Sequence, residues 1–255
     1  MGSFRRNAIG ELFQTRPFIS LHELEEMFPN VSSMTLRRDI DYYEKKGEVI
    51  KVRGGARSMK FIVTTDDDSY NLRLHLNSDA KHKVAIEALK FIETGRSIFL
   101  DSGTTVLRLV EHMPNERITV TTTGLNVAME LMKKDMPIVS IVGGMVNRDN
   151  ITVTGNQALQ FLEGINIDVA FVVPSGISAK EGLTCGNYSD CDLKRKVVEK
   201  ARKVVLLMDA SKNNKCLPYT FAEIEDVDYI ISDEALPMDI AKRAKEAGVE
   251  VIVAE

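Results

Sequence analysis

Apolar positions at the front of the chain recur with helical spacing, whereas further on they gather into short unbroken runs. Over 5–15, Ala8, Ile9, Leu12 and Phe13 share one helical face. Ser20-Leu21-His22-Glu23 has the form of a capping box and opens a helix whose Leu24, Met27 and Phe28 turn inward. Pro29-Asn30 stops that helix. A third starts from Ser32 as N-cap, carries Leu36, Ile40 and Tyr43 at i, i+4 and i+7, and ends at Gly47, which supplies a left-handed residue. The next stretch, Glu48-Val49-Ile50-Lys51-Val52-Arg53-Gly54-Gly55-Ala56, reads as a hairpin with Val49 and Ile50 beneath it. Three helices with a short turn, followed by a hairpin, make a winged helix-turn-helix.

The apolar runs of the second region are Ser97-Ile98-Phe99-Leu100, Ile118-Thr119-Val120-Thr121, Ile138-Val139-Ser140-Ile141-Val142, Val169-Ala170-Phe171-Val172-Val173, Val204-Val205-Leu206-Leu207-Met208, Tyr229-Ile230-Ile231 and Val249-Glu250-Val251-Ile252-Val253. They alternate with helical segments, beginning with one over 79–93 that bears Val84, Ala88 and Ile92. Strands apolar on both faces imply a covered, mostly parallel sheet, so the second region is α/β. The expected organisation is a DNA-binding domain over 1–57, a linker over 58–78 and an α/β domain over 79–255. In the linker, Tyr70, Leu72, Leu74 and Leu76 alternate as a strand would.

In the third helix, Ser33, Thr35, Arg37 and Arg38 occupy the first two turns, the part that a helix-turn-helix inserts into the major groove. Lys51, Arg53 and Arg57 of the wing are placed for phosphate or the minor groove, and Gly54-Gly55 for close backbone approach to DNA. Residues 1–57 hold ten Lys or Arg against eight Asp or Glu, a balance of +2; the remainder holds 23 against 29, a balance of −6. Positive charge is thus concentrated where DNA would lie. Isolated basic residues usually only solvate a helix; here helix, turn and wing coincide. Duplex DNA is the implied partner, and recognition of repeated half-sites implies a homo-oligomer, dimer or tetramer.

No apolar run is long enough to span a bilayer, and the first residues lack the apolar core of a signal peptide, so a cytoplasmic protein without membrane association is expected. Cys185, Cys191 and Cys216 lack Cys-x-x-Cys spacing and read as reduced thiols; His22, His75, His82 and His112 are scattered without ligand spacing. No metal or cofactor is implied.

In a covered parallel sheet, ligands sit beyond the carboxyl ends of the strands. There the sequence places Asp101-Ser102-Gly103-Thr104-Thr105, then Thr121-Thr122-Thr123-Gly124, Gly143-Gly144, Pro174-Ser175-Gly176-Ile177 and Asp209-Ala210-Ser211-Lys212. A small hydroxyl-bearing turn at a helix start offers amides and a positive dipole end to an anion, with Lys212 as a mobile cation. Taken singly, each such turn reads better as an ordinary helix cap than as a ligand site. Repetition at successive strand ends points to one anionic, hydroxylated ligand held by Asp101, Ser102, Gly103, Thr104, Thr105, Thr123, Gly143, Gly144, Ser175, Gly176 and Lys212.

With those residues in view, the chain resembles the DeoR family of bacterial transcriptional regulators as far as Asp233. The resemblance is carried by Ser32-x-x-Thr35-Leu36-Arg37-Arg38-Asp39 with Gly47, by Arg53-Gly54-Gly55-Ala56, and by Asp101-Ser102-Gly103-Thr104-Thr105. Gly143-Gly144, Gly182-Leu183-Thr184 ahead of Lys194-Arg195, and Asp209-Ala210-Ser211-Lys212 complete the ordered set. It implies a C-terminal sugar-phosphate sensor similar in fold to ribose-5-phosphate isomerase, and a repressor of sugar-metabolism genes. Under it, Asp101, Ser102, Gly103, Thr104 and Thr105 look like the phosphate and sugar loop, Gly143 and Gly144 like pocket lining, and Lys212 like the pocket cation. The chain departs from the family pattern at Pro174 and at Tyr42-Tyr43.

Two other readings stand beside this one. An isomerase-like enzyme fused to a DNA-binding domain would need a carboxylate base over the substrate carbon, and Pro174-Ser175-Gly176-Ile177-Ser178 has none, Glu181 being nearest. A DNA-binding scaffold with a vestigial pocket would show no stabilisation by any sugar phosphate.

Overall fold

The computed structural model describes residues 2–46, 48–52, 54–58 and 70–255, so the expectations resting on Gly47, Arg53 and most of the linker lie outside the described residues. The chain divides into two compact units, the first formed by Met1–Thr65 with Asn71–Leu76 and the second by Asp66–Tyr70 with Asn77–Glu255.

The first unit runs α1 (Gly2–Thr15), β1 (Phe18–Ser20), α2 (Leu21–Met27), α3 (Ser33–Lys45), β2 (Val49–Val52) and β3 (Gly55–Ser58). Both helix starts follow the caps read from sequence. The Ser20 hydroxyl accepts from the Glu23 amide while Glu23 accepts from the Ser20 amide at 2.7 Å, and the Ser32 hydroxyl accepts from the Thr35 amide. Ile9, Phe13, Leu24, Leu36, Ile40, Tyr43, Val49 and Ala56 form its core. Met27, expected inside, is exposed, because Leu21, Leu24 and Phe28 form the inward line of α2 and Met27 falls beside it. Strands β1, β3 and β2 make a three-stranded antiparallel sheet in that order.

α4 (Tyr70–His75) replaces the strand-like alternation expected there; Tyr70 is buried and donates its amide to the Asp149 carbonyl. The second unit continues with α5 (Ser78–Ala88), β4 (Ser97–Leu100), α6 (Thr104–His112), β5 (Thr119–Thr122), α7 (Leu125–Leu131) and β6 (Ile138–Ile141). Then come β7 (Met145–Asn147), β8 (Thr152–Thr154), α8 (Asn156–Glu163), β9 (Val169–Val172), β10 (Gly176–Ser178), β11 (Gly182–Cys185) and α9 (Tyr188–Lys200). The chain ends through β12 (Val204–Met208), β13 (Tyr219–Ala222), β14 (Tyr229–Ser232), α10 (Met238–Ala247) and β15 (Glu250–Val253).

All seven apolar runs enter one parallel sheet, ordered β15-β14-β12-β9-β4-β5-β6. Alternate residues of each strand feed two cores. Phe99, Ala170, Val172, Leu206 and Ile230 pack on one face; Ile98, Leu100, Phe171, Val205 and Ile231 pack on the other. Strand order reverses between β4 and β9, which makes their carboxyl ends the switch point where α/β sheets open a crevice. Two smaller antiparallel sheets, β7-β8 and β10-β11-β13, were not foreseen; their strands are three or four residues long and carry little apolar periodicity.

Candidate functional sites

The two units present separate sites. On α3, Leu36, Asp39, Ile40 and Tyr43 are buried, while Ser33, Met34, Arg37 and Arg38 are exposed. Arg37 and Arg38 enter no ion pair with the described residues. A cavity of about 340 Å³ opens between α3 and the wing, lined by Met34, Arg37, Asp41 and Lys51 among others. Ser33 donates to Glu25 at 2.5 Å and Thr35 lies 3.0 Å from the Ser32 hydroxyl, so both hydroxyls help hold the turn between α2 and α3.

Lys51 departs from expectation. Strand alternation puts Val49 and Lys51 on one face of the hairpin and Ile50 and Arg57 on the other, so Val49 and Ile50 do not both point inward. The Lys51 ammonium therefore reaches α3, 2.7 Å from Asp41 and 2.8 Å from Glu44, and ties the wing to the reading helix instead of standing free for phosphate. Those two carboxylates hold its pKa above the ordinary lysine value. Arg57 is exposed on the opposite face. Gly55 also has a structural reason: a Cβ there would stand 2.2 Å from the Ile19 carbonyl oxygen. Gly54, at φ +89°, turns the hairpin in open space.

Beneath the reading face, Asp39 is almost wholly buried and receives Arg5 at 2.5 Å and Arg6 at 2.7 Å, both from α1. Burial alone would raise this carboxyl; the two guanidinium groups outweigh it and hold the pKa below the ordinary aspartate value. Tyr43 adds a second tie, donating to the Arg6 carbonyl at 2.5 Å, and the Arg6 guanidinium lies 4.8 Å from the Tyr42 ring centre. The Tyr42-Tyr43 departure thus lies where α3 is anchored to α1.

In the second unit, the loop after β4 sits at the switch point. Ser102, Thr104 and Thr105 are buried, and Gly103 is the N-cap of α6 with no side chain to close it. A Cβ on Gly103 would come within 2.9 Å of Val173, and one on Gly124 within 2.9 Å of Ser102, so the loops after β4, β5 and β9 meet here. Asp101 does not face outward. Its carboxylate accepts the Ser102 amide at 2.7 Å and the Val173 amide at 2.9 Å, and it receives the buried ammonium of Lys194 from α9. Lys194 also donates to the Val173 carbonyl at 2.9 Å and lies 3.9 Å from Asp190. Burial pulls this lysine's pKa down, but Asp101 and Asp190 reverse the effect and leave it above the ordinary value. Asp101 accordingly ties the ends of β4 and β9 to α9, and the amides of α6's first turn remain the part of the loop suited to an anion.

The loop after β5 is closed differently. The Leu125 amide at the start of α7 donates to the Ile151 carbonyl at 3.1 Å, and the Thr123 carbonyl accepts the Val153 amide at 2.8 Å. Ile151 adopts φ +52° to do so, a conformation rare for a β-branched residue. Hairpin β7-β8 therefore caps α7, and Thr123 is buried beneath it. Gly143 and Gly144 are exposed at the entry to that hairpin, where a Cβ on Gly144 would strike the Thr154 carbonyl oxygen at 2.3 Å.

The Ser175 amide donates to the Thr184 carbonyl at 2.9 Å. Gly176 packs against the Lys215 carbonyl, and a bridge between Ile177 and Asn213 brings the Lys212 turn beside this loop. Lys212 is half-buried in a single 3₁₀ turn capped by Asp209, whose carboxylate also accepts Asn77 at 2.9 Å. A buried lysine that sequence reading passed over, Lys81, lies on the first turn of α5, the helix that Asn77 starts. The signal was present: Lys81, Val84, Ala85 and Ala88 fall on one stripe, so this charge interrupts an apolar face.

Cys185 and Cys191 are buried, and burial pushes both thiols above the usual cysteine pKa; Cys216 is exposed. His82 and His112 meet edge to face with ring centres 4.8 Å apart. Among the described residues no cluster of His, Cys, Asp or Glu is placed to hold a metal ion, and no helix is long and apolar enough to cross a membrane.

Comparison with known proteins agrees with this division of labour. The family model for a DeoR-like helix-turn-helix domain matches residues 5–61, and that for a DeoR C-terminal sensor domain matches residues 76–234. The transcriptional regulator GolR of Listeria innocua is 31% identical over 254 residues, covering 98% of each chain. The transcriptional repressor GlcR of Bacillus subtilis is 30% identical over 225 residues, covering 88% of this chain and 86% of its own. Among solved structures, ribose 5-phosphate isomerase A of Methanocaldococcus jannaschii overlaps 54% of this chain and 55% of its own, at 22% identity and a TM-score of 0.41. That overlap is too loose to carry a functional conclusion.

Proposed function

Because this chain belongs to the DeoR family of transcriptional regulators, we propose that it is a repressor of sugar-metabolism genes that reads an operator through α3 and is controlled by a phosphorylated sugar bound in its second unit. The observation that carries the DNA half is the division of α3, its apolar side and Asp39 inward, Arg37 and Arg38 outward. Arg38→Ala is expected to weaken binding to duplex DNA from the region flanking its own gene by roughly 10- to 100-fold, about 1–3 kcal/mol. Fluorescence anisotropy measures this, and an unchanged affinity would remove α3 from the interface.

For the effector, the proposed anion position is the first turn of α6 at Gly103, Thr104 and Thr105, with Ser102 beside it and Lys212 and Lys81 as cations. Ser175 and Gly176 form the wall next to Lys212. Asp101 holds this loop in place from below, and Thr123, Gly143 and Gly144 act through the hairpin that closes α7. In a thermal-shift screen, ribose 5-phosphate or a related sugar phosphate at 100 times its Kd should stabilise the protein by about 2.7 kcal/mol. Lys212→Ala should lose most of that shift; a full shift in the variant would take Lys212 out of the site. A wild-type protein that no sugar phosphate stabilises would favour a vestigial pocket.

The same reading makes the second unit a sensor rather than an isomerase. Glu181, the carboxylate nearest in sequence to the loop after β9, accepts from the Ser178 hydroxyl at 2.6 Å and pairs with Lys180 at 3.2 Å, while Asp101, which accepts the Val173 amide, is taken up by Lys194. The Ser178 and Lys180 hydrogen bonds hold its pKa below the ordinary glutamate value, which makes it a weaker base. Turnover of ribose 5-phosphate by the purified protein would overturn this assignment. Operator recognition by paired half-sites further implies a homo-oligomer.

A further inference from the structure

The open edge of the parallel sheet carries an apolar surface that neither site uses. β6 is the last strand of the sheet, and among the described residues no strand pairs with its outer side. The Ile138 and Val142 amides donate inward to the Ile118 and Thr122 carbonyls of the β5 side. By the alternation of a parallel ladder, the amides and carbonyls of Val139 and Ile141 therefore point out of the sheet. Such an edge is ordinarily shielded by charge or proline. Here Ile138 and Ile141 are exposed instead, and Met129 (68% exposed) and Met132 (69%) stand on or just beyond the adjoining α7. Met145 (72%) and Val146, in the strand that follows β6, continue the same character.

We propose that this edge is the surface on which a second copy of the chain docks, β6 pairing antiparallel with its counterpart about a two-fold axis through Ser140. Three features select that occupant. First, a strand whose outward groups lie at Val139 and Ile141 is self-complementary about the residue between them: Val139 of one chain exchanges both hydrogen bonds with Ile141 of the other, as an isologous contact requires. Second, exposed apolar side chains flank the edge on both faces of the sheet, Ile138 on one and Ile141 on the other with Met129 and Met132 of the adjoining helix region, so that a strand added at this edge would cover apolar surface on either side. Third, the adjoining charge is balanced, with Lys133 2.6 Å from Glu130, so that a second copy meets no net repulsion at the rim. Methionine suits the surface, since its flexible side chain packs against a second copy of itself. The choice of a second copy rests on the regulator reading only in that paired half-sites need two chains; the location rests on the edge itself.

The test uses the full chain in sedimentation equilibrium. The wild type is expected at twice its monomer mass or a multiple of it, and Met132→Glu combined with Ile141→Lys is expected to raise the dissociation constant at least 100-fold, with circular dichroism confirming that it remains folded. As a second readout, Ser140→Cys in a Cys216→Ser background should form an intermolecular disulfide under mild oxidation, because a non-hydrogen-bonded antiparallel pair places the two Cα atoms about 4.5 Å apart. A monomeric wild type overturns the proposal. So does a charged variant that associates as tightly as the wild type, or a Ser140→Cys variant that stays uncrosslinked while associated. In those last two cases operator binding by the wild type would leave the regulator reading intact and show only that another surface joins the copies.

Discussion

Replacing Lys194 by Met is expected to destabilise the second unit by about 3–5 kcal/mol, because it leaves the Asp101 carboxylate buried without its counter-charge. Asp101 would retain the Ser102 and Val173 amides, which places the outcome toward the lower end of that range. For a unit of this size the melting temperature should fall by on the order of 10 °C. The double variant Asp101→Asn, Lys194→Met removes both charges and should be less destabilised than the sum of the single changes, with a coupling of about 1–3 kcal/mol in a double-mutant cycle. The functional consequence follows from position. Asp101 and Lys194 together hold the carboxyl ends of β4 and β9 against α9, directly under Gly103. Lys194→Met should therefore also lose the stabilisation that a sugar phosphate confers, even at temperatures where the unit remains folded. A variant with wild-type stability and a wild-type ligand shift would refute the structural role given to this pair.

The second large effect is expected at Asp39→Ala, which removes the acceptor for Arg5 and Arg6. The arginines can turn to water, Arg6 being the more exposed, so the cost is expected near about 3 kcal/mol rather than more. A domain of under eighty residues holds little stability in reserve, and a loss of that size should lower its transition by on the order of 10–20 °C. Calorimetry of the full chain should show the first unit melting early while the second is unchanged. Operator affinity should collapse although Arg37 and Arg38 are intact, and the sugar-phosphate shift should persist. Asp39 also sets a pH dependence. Its folded pKa lies below the unfolded value of about 3.9, so its contribution is complete above that value and is lost as pH falls through the folded value. Below about pH 4 the first unit of the wild type should weaken steeply, and Asp39→Asn should weaken less; identical acid profiles would contradict the assignment.

Much of this molecule was legible because it is locally encoded. The capping box at Ser20 and Glu23, the N-cap at Ser32, the inward stripe of Leu36, Ile40 and Tyr43, and all seven strands of the parallel sheet depend on residues within a few positions of one another. Periodicity and caps act at that range, and so sequence by itself determined the two classes of structure, their order along the chain, and which helix turns its arginines outward. What tertiary structure alone decided are the partners of charged and polar groups. Lys51 turned toward Asp41 and Glu44 because strand register placed it on the inner face of the wing. Asp101 became a buried tie because strand order brings α9 beneath the end of β4, joining residues 93 apart in sequence. Hairpin β7-β8 closed the start of α7, whereas α6 starts from Gly103 without a side-chain cap. A charge takes its pKa, and a helix start its availability, from whichever element packs against it, and that neighbour is chosen by the path of the chain through the sheet rather than by the residues beside it.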